Sequence, residues 1–222
     1  MSSVGYKKQE QIASLAATYA MSKIAPLQDA YLGMSNARAA WARATLAKLR
    51  RLGPSAESSW LQSGDQLFDG WPSERLAELN ASLWDEERMQ RSHEAVLSLY
   101  ALHQQSSRVR CASVPGSNES EEERKKRCRR SSFARCCREI EEDLDRATGV
   151  RRRLIALESA KDFDGIVYGI RGLLKMIKAS GAAADGVDYY ALARDLYLLQ
   201  TTDHARGEVF SRWSKDYFAT LD

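Results

Sequence analysis

The sequence predicts an all-helical protein. Three observations carry that reading. Only 4 prolines and 13 glycines interrupt 222 residues, too few breaks for a strand-and-turn architecture. Apolar residues recur at 3.6-residue spacing, most clearly in the C-terminal part. No segment alternates apolar and polar residues with the period of two that a half-buried strand requires. With 44% hydrophobic residues the chain can bury a core and is not expected to be disordered. No run of about 18 apolar residues is present, so no membrane span is expected. Residues Met1 to Gln11 are polar and lack the apolar centre of a signal peptide, which points to the cytoplasm.

Taken in order, residues 1–35 read as an N-terminal extension with a weak helix around Gln9 to Ile24. A firmer helix starts near Asn36 and runs to Leu52, where Gly53-Pro54 stops it. Trp41, Ala44 and Leu49 are its expected apolar side. Trp60 and the stretch Phe68-Asp69-Gly70-Trp71-Pro72 read as a loop packed by aromatics. Ser73 is placed to cap the next helical region, with apolar spacing through Leu76, Leu79 and Leu83 and on to Val96, Leu97 and Tyr100. These residues, 36–112, form an expected N-terminal helical bundle.

From Ser106 to about Arg130 the chain turns polar. Pro115-Gly116-Ser117-Asn118 is a breaker without an apolar anchor, so residues 113–118 are expected to be exposed and protease-sensitive. Ser120 followed by Glu123 matches a capping box, so a helix could run through the basic residues beyond it; the other reading is a mobile segment. Residues 113–130 are accordingly assigned as a basic linker or insertion.

Residues 131–222 form the expected C-terminal bundle. Asp162 can cap a helix that buries Ile166, Val167, Ile170, Leu173, Leu174 and Ile177, ended by Gly181. Asp188 can cap the next, with Tyr189, Leu192, Ala193, Leu196 and Tyr197 inward. Thr202 or Asp203 opens the last, with Val209, Phe210, Trp213 and Tyr217 inward.

The side chains offer little for catalysis. His93 and His103 are ten residues apart, which is not ligand spacing, and His204 stands alone. No HExxH, GxxxxGK[ST], GxSxG or GxGxxG is present. Cys111, Cys128, Cys136 and Cys137 include no CxxC pair. The adjacent Cys136 and Cys137 would point about 100° apart on a helix and could not easily share a metal. They read as small buried residues in a reducing cytoplasm. No enzyme, no metal and no cofactor are expected.

Charge is more informative. The formal net charge of +3 conceals segregation. Residues 36–51 hold Arg38, Arg43, Lys48, Arg50 and Arg51 without an acid. Residues 124–138 hold Arg124, Lys125, Lys126, Arg127, Arg129, Arg130, Arg135 and Arg138, again without one. Acids gather in 53–105 and in Glu139 to Asp145. Two rows have helical spacing. Arg171, Lys175 and Lys178 fall at i, i+4 and i+7, away from the apolar face of their helix. Arg43, Arg50 and Arg51 fall at i, i+7 and i+8. Arg151-Arg152-Arg153 opens a further helix, whose first N–H groups add partial positive charge. Such rows can follow regularly spaced phosphates, and the arginine fork can bond two phosphate oxygens at once. A row of this kind also serves as the solvated side of an ordinary amphipathic helix, or as a basic face that docks an acidic protein partner.

The residues also carry a family resemblance. The stretches Arg151-Arg152-Arg153-Leu154-Ile155-Ala156-Leu157 and Ile170-Arg171-Gly172-Leu173-Leu174 resemble the CasB family, the small subunit of the type I-E CRISPR Cascade complex. So do Val187-Asp188-Tyr189-Tyr190-Ala191-Leu192-Ala193-Arg194-Asp195-Leu196 and Arg212-Trp213-Ser214-Lys215-Asp216-Tyr217-Phe218. Ala47-Lys48-Leu49-Arg50-Arg51 is similar to that family's N-terminal arginine pair, and Ser132-Phe133-Ala134-Arg135-Cys136-Cys137-Arg138 to its middle basic helix. The resemblance spans about residues 36–220. The extension 1–35 and the insert near 113–130 exceed the family pattern, and the middle-helix match is loose.

The resemblance implies two packed helical bundles and no catalysis. It implies two copies of the subunit along the inner face of Cascade, beside CasA, CasC, CasD, CasE and the guide RNA complex. It also implies contact with target DNA, mainly with the displaced single strand. Carried over by position, the contacts involve Arg50, Arg51, Arg135, Arg138, Arg152, Arg153 and Arg171. Arg43, Lys175 and Lys178 join them from the charge rows.

Overall fold

A computed structural model describes residues 3–52, 60–116, 118–141, 143 and 148–220. The described residues form eleven helices and one isolated bridge, Ala112 with Val187. Gly53-Pro54 and Ser117, read above as breakers, lie outside the described residues.

The helices pack as two bundles around one continuous core. The first is built from α1 (Ser3–Leu32), α2 (Asn36–Leu49), α5 (Leu83–Gln104) and α10 (Tyr189–Leu198), with α3 (Trp60–Phe68) at its side and the short α4 (Ser73–Glu78) leading into α5. The second contains α7 (Phe133–Arg138), α8 (Thr148–Glu158), α9 (Phe163–Ser180) and α11 (Asp203–Phe218). α6 (Glu121–Arg130) leads into α7. The bundles join where α9 packs on α5 and α11 follows α10.

The N-terminal residues are not an appendage. α1 is a 30-residue helix that runs on past Pro26. It buries Ile12, Ala13, Ala16, Ala17, Ala20, Ile24 and Leu27 against α10, α5 and α2. Alanine dominates the buried stripe, so partners approach closely and the apolar signal stays weak. Nor do the bundles divide the chain at one point. α10 belongs by sequence to the C-terminal part, yet it packs along α1 and α5.

Asp85 ties these three helices together. It closes a capping box with Ser82 at the start of α5, accepts from Gln9 Nε2 at 3.0 Å and pairs with Lys8 at 3.2 Å. Tyr197 of α10 donates to Gln9 Oε1 at 2.7 Å. Burial raises the Asp85 pKa, but the hydrogen bonds from Ser82, Gln9 and Lys8 outweigh it and hold the carboxyl below the usual range.

Most expected caps are present. Asp162, Asp188 and Thr202 accept from the N–H groups of Gly165, Ala191 and Ala205. Gly181 ends α9 with φ +75°, a backbone conformation that favours glycine. The Ser120–Glu123 capping box opens α6, so residues 121–130 of this segment are helical.

Other expectations need correcting. Ser73 makes no side-chain cap, and the region it opens is two helices, broken at Asn80 with φ +50°. Residues 60–68 are helix rather than loop. Trp41 is 49% exposed and Ala44 is exposed, because α2 buries the neighbouring face of Ala39, Ala42, Thr45, Leu46 and Leu49. Ser113 is buried: its N–H donates to the Val187 carbonyl at 2.9 Å, and Gln28 of α1 brackets Ala112 through both amide atoms. Pro115, Gly116 and Asn118 are exposed.

Candidate nucleic-acid interface

The cationic row of α9 meets the end of α2 at the C-terminus of α5. Arg171, Lys175 and Lys178 flank the buried face of Ile170, Leu173, Leu174 and Ile177, which fix the rotation of α9 by packing into the core. Arg50 follows the last turn of α2. Arg50, Lys175 and Lys178 line one open depression with Leu102, Gln105 and Ser106.

Three of the four cations are positioned by neutral oxygens. Arg171 donates to Ser98 Oγ at 3.1 Å and to the Arg50 carbonyl at 3.4 Å. Lys178 donates to the carbonyls of Leu102, at 3.2 Å, and Gln105. Arg50 donates to Gln105 Oε1. Cations at helix C-termini interact favourably with the last carbonyls and the helix dipole, and that holds this cluster in place. Carbonyls, hydroxyls and amides carry no net charge, however. Among the described residues, none of Arg50, Arg171, Lys175 and Lys178 forms an ion pair with a carboxylate. Burial, and then the Arg50 charge, lower the Arg171 pKa. Burial lowers that of Lys178 too, Cys111 pulls it back up in part, and the Arg50 charge adds a smaller downward push. Cations pressed together in this way are relieved by an anion.

Arg153 joins from α8. A side chain at Gly172 would meet its guanidinium at 3.7 Å, so Arg153 lies beside the α9 row. The α8–α9 contact that sets this distance depends on Gly169, where a Cβ atom would fall 2.3 Å from Leu157 Cδ2.

The remaining candidates are placed differently. Arg43 and Arg51 are exposed on and just beyond α2, and Arg152 is exposed on α8. Arg135 and Arg138 are not surface groups. Both are 8% exposed on the wholly buried α7. Arg135 holds the carbonyls of Ala219 and Thr220 at 2.9 and 2.5 Å, and Arg138 that of Glu141. As placed, they anchor the C-terminal segment and the loop after α7. The basic island of α6 is partly neutralised as well: Arg127 pairs with Glu119 at 2.7 Å and Lys125 with Glu121 at 2.7 Å.

Sequence reasoning missed the groups that hold the cluster, Ser98, Leu102 and Gln105. They stand on or next to α5, about 70 residues from α9 in the chain, and no local pattern links them.

Among the described residues no group of three or more His, Cys, Asp or Glu side chains could hold a metal ion. No described helix is long and apolar enough to cross a membrane.

The chain was compared with known proteins. No curated protein matches it. Among solved structures it is similar to the crystal structure of CasB from Thermobifida fusca, with 22% identity and a TM-score of 0.68, covering 92% of this chain and 98% of that one. It is similar also to the crystal structure of M. ruber CasB, with 20% identity and a TM-score of 0.53, covering 90% and 92%. These likenesses confirm an all-helical fold. Residues 45–218 match the family model of CRISPR-associated protein Cse2. That span takes in α9, the end of α2 and the cation cluster between them, and by it the chain belongs to the CRISPR-associated Cse2 family.

Proposed function

We propose that the chain is the non-catalytic small subunit of a type I-E Cascade surveillance complex, and that it stabilises the opened target by holding the phosphate backbone of the displaced strand. The observation that carries this reading is the cluster of Arg50, Arg171, Lys175 and Lys178, with Arg153 beside it and neutral groups as its internal partners. Opening a duplex against a guide RNA is nearly balanced in free energy, because the heteroduplex formed is about as stable as the duplex lost. A subunit that binds the released strand therefore tips the balance without chemistry. Phosphate contacts carry no base information, so the hold is independent of sequence. In this reading the subunit works in the cytoplasm, in two copies, with the guide RNA complex and CasA, CasC, CasD and CasE, and makes no membrane contact.

The test is a salt titration of single-stranded DNA binding by the chain and by a variant carrying Arg50→Gln, Arg171→Gln, Lys175→Gln and Lys178→Gln. Glutamine keeps a donor for the carbonyls and removes the charge. Each lost phosphate contact should shallow the log–log slope by about 0.7. A folded variant with unchanged affinity and slope would favour the other reading, a helical module whose basic faces dock acidic protein partners. Co-purification with acidic proteins but not with a guide RNA complex would point the same way.

A further inference from the structure

We infer that Tyr168 is a stacking platform for an unpaired base at the edge of the cation cluster, a role that rests on the proposed hold on a single strand. Tyr168 is 80% exposed on α9 and makes no hydrogen bond or ring contact among the described residues. An isolated surface aromatic is ordinary. The placement of this one is not. At about 100° per residue, Tyr168 stands within about 20° of Lys175 and about 60° of Arg171, and on the opposite side from Ile170 and Ile177. Its position along the helix is about 4.5 Å from that of Arg171 and about 10 Å from that of Lys175. The ring therefore shares the face that carries the charges.

Gly172 lies one turn further on, between the ring and Lys175. Glycine is unfavourable inside a helix relative to alanine. Packing does not demand it here: a Cβ atom would meet only the tip of the Arg153 guanidinium, at 3.7 Å, an ordinary contact. Gly169 is the contrast, since a Cβ there would collide with Leu157. What Gly172 does provide is a bare floor between the Tyr168 ring, Arg153 and Lys175. A nucleotide is a flat ring joined to a negative charge, and this surface offers a flat ring beside positive ones. The bases of a duplex are stacked on each other and cannot lie on it; those of a displaced strand can. Aromatic stacking next to a basic groove is a general way to hold single strands without reading sequence. The ring thus supplies what the cations lack, a preference for the unpaired strand.

The experiment uses the full chain and labelled single-stranded DNA of mixed sequence, intact or with abasic sites, followed by fluorescence anisotropy across a salt series. Tyr168→Ala should bind intact DNA about 5- to 150-fold more weakly, the range for losing one stacked base, while Tyr168→Phe stays close to wild type. The salt slope of Tyr168→Ala should equal that of wild type, because the ring carries no charge. Wild type should lose affinity for abasic DNA, and Tyr168→Ala should not distinguish the two strands. If wild type binds steeply with salt but neither Tyr168→Ala nor the abasic strand changes affinity, stacking is wrong and the phosphate hold stands. If wild type does not bind single strands at all, both fall. Circular dichroism accompanies each variant; Tyr168 is exposed, so unfolding is not expected.

Discussion

Two buried histidines make the fold sensitive to mild acid. His93 and His103 are 2% and 4% exposed. The neutral ring of His93 donates from Nε2 to the Gln66 carbonyl at 3.2 Å, and His103 Nδ1 lies 3.1 Å from the Tyr189 hydroxyl. Burial, chiefly, lowers each pKa from 6.5 to about 4, with the Lys23 charge adding to His93 and the Lys178 charge to His103. Between those values the unfolded chain binds a proton on each ring and the native chain does not. Stability is therefore complete above pH 6.5 and falls as the pH drops towards 4. The difference corresponds to about 3 kcal/mol per histidine. Two carboxyls that burial pushes upward, Glu94 and Asp195, oppose it, Asp195 the more clearly. Burial pushes the Asp195 carboxyl from 3.8 up to about 6, despite Arg212 and the Trp213 indole that bind it. Its contribution is complete below 3.8 and is lost as pH rises through about 6, and it offsets about 3 kcal/mol on acidification. The net loss from pH 6.5 to 4 should be about 3–4 kcal/mol, a large share of the 5–15 typical of a domain. Urea unfolding by circular dichroism at half-unit pH steps reads this directly. His103→Gln should flatten the profile by roughly half of the histidine contribution. Stability that stays level or rises between pH 6.5 and 4.5 would refute the reasoning.

Two further outcomes separate structure from binding. Arg135→Ala should destabilise the fold by about 2–3 kcal/mol, as expected for losing charged hydrogen bonds to the Ala219 and Thr220 carbonyls, and should leave the salt slope of DNA binding unchanged. Gly169→Ala should cost about 1–3 kcal/mol by overpacking against Leu157, and in a Leu157→Ala background, where the colliding methyl is gone, it should cost little; thermal melts of the four chains decide it.

Much of the second bundle was legible because each of its long helices has one buried face and a side-chain cap. α9 and α11 show their apolar spacing, and Asp162 and Thr202 announce their starts. α1 hid itself in two ways. Many of its interior positions are alanines, which read as neutral, and Pro26 reads as a stop. Trp41 misled in the opposite sense, since a large apolar residue draws the buried face toward itself although α2 turns a smaller one inward. The cation row of α9 could be read from spacing alone, because the core-facing residues fix which side is left to solvent. That Arg50 would meet it could not, for the meeting is made by α5. Arg135 and Arg138 were hard to place for a different reason: in a stretch of eight cations nothing local marks the two whose guanidinium groups reach the chain's own carbonyls.

The packing of α10 against α1 has a consequence for how the chain is made. A ribosome releases α1 first, with its alanine stripe and with Gln9 and Glu10 waiting for Tyr197 and Arg194. Those partners lie 184 and 188 residues further along the chain. At 5–20 residues per second the delay is roughly 8–30 s, during which the longest described helix has no cover on the side that α10 will close. The first bundle, though it includes α1, is completed only by α10. Its early helices must stay soluble in the interval, and no product stopped before residue 189 contains the helix that completes their core.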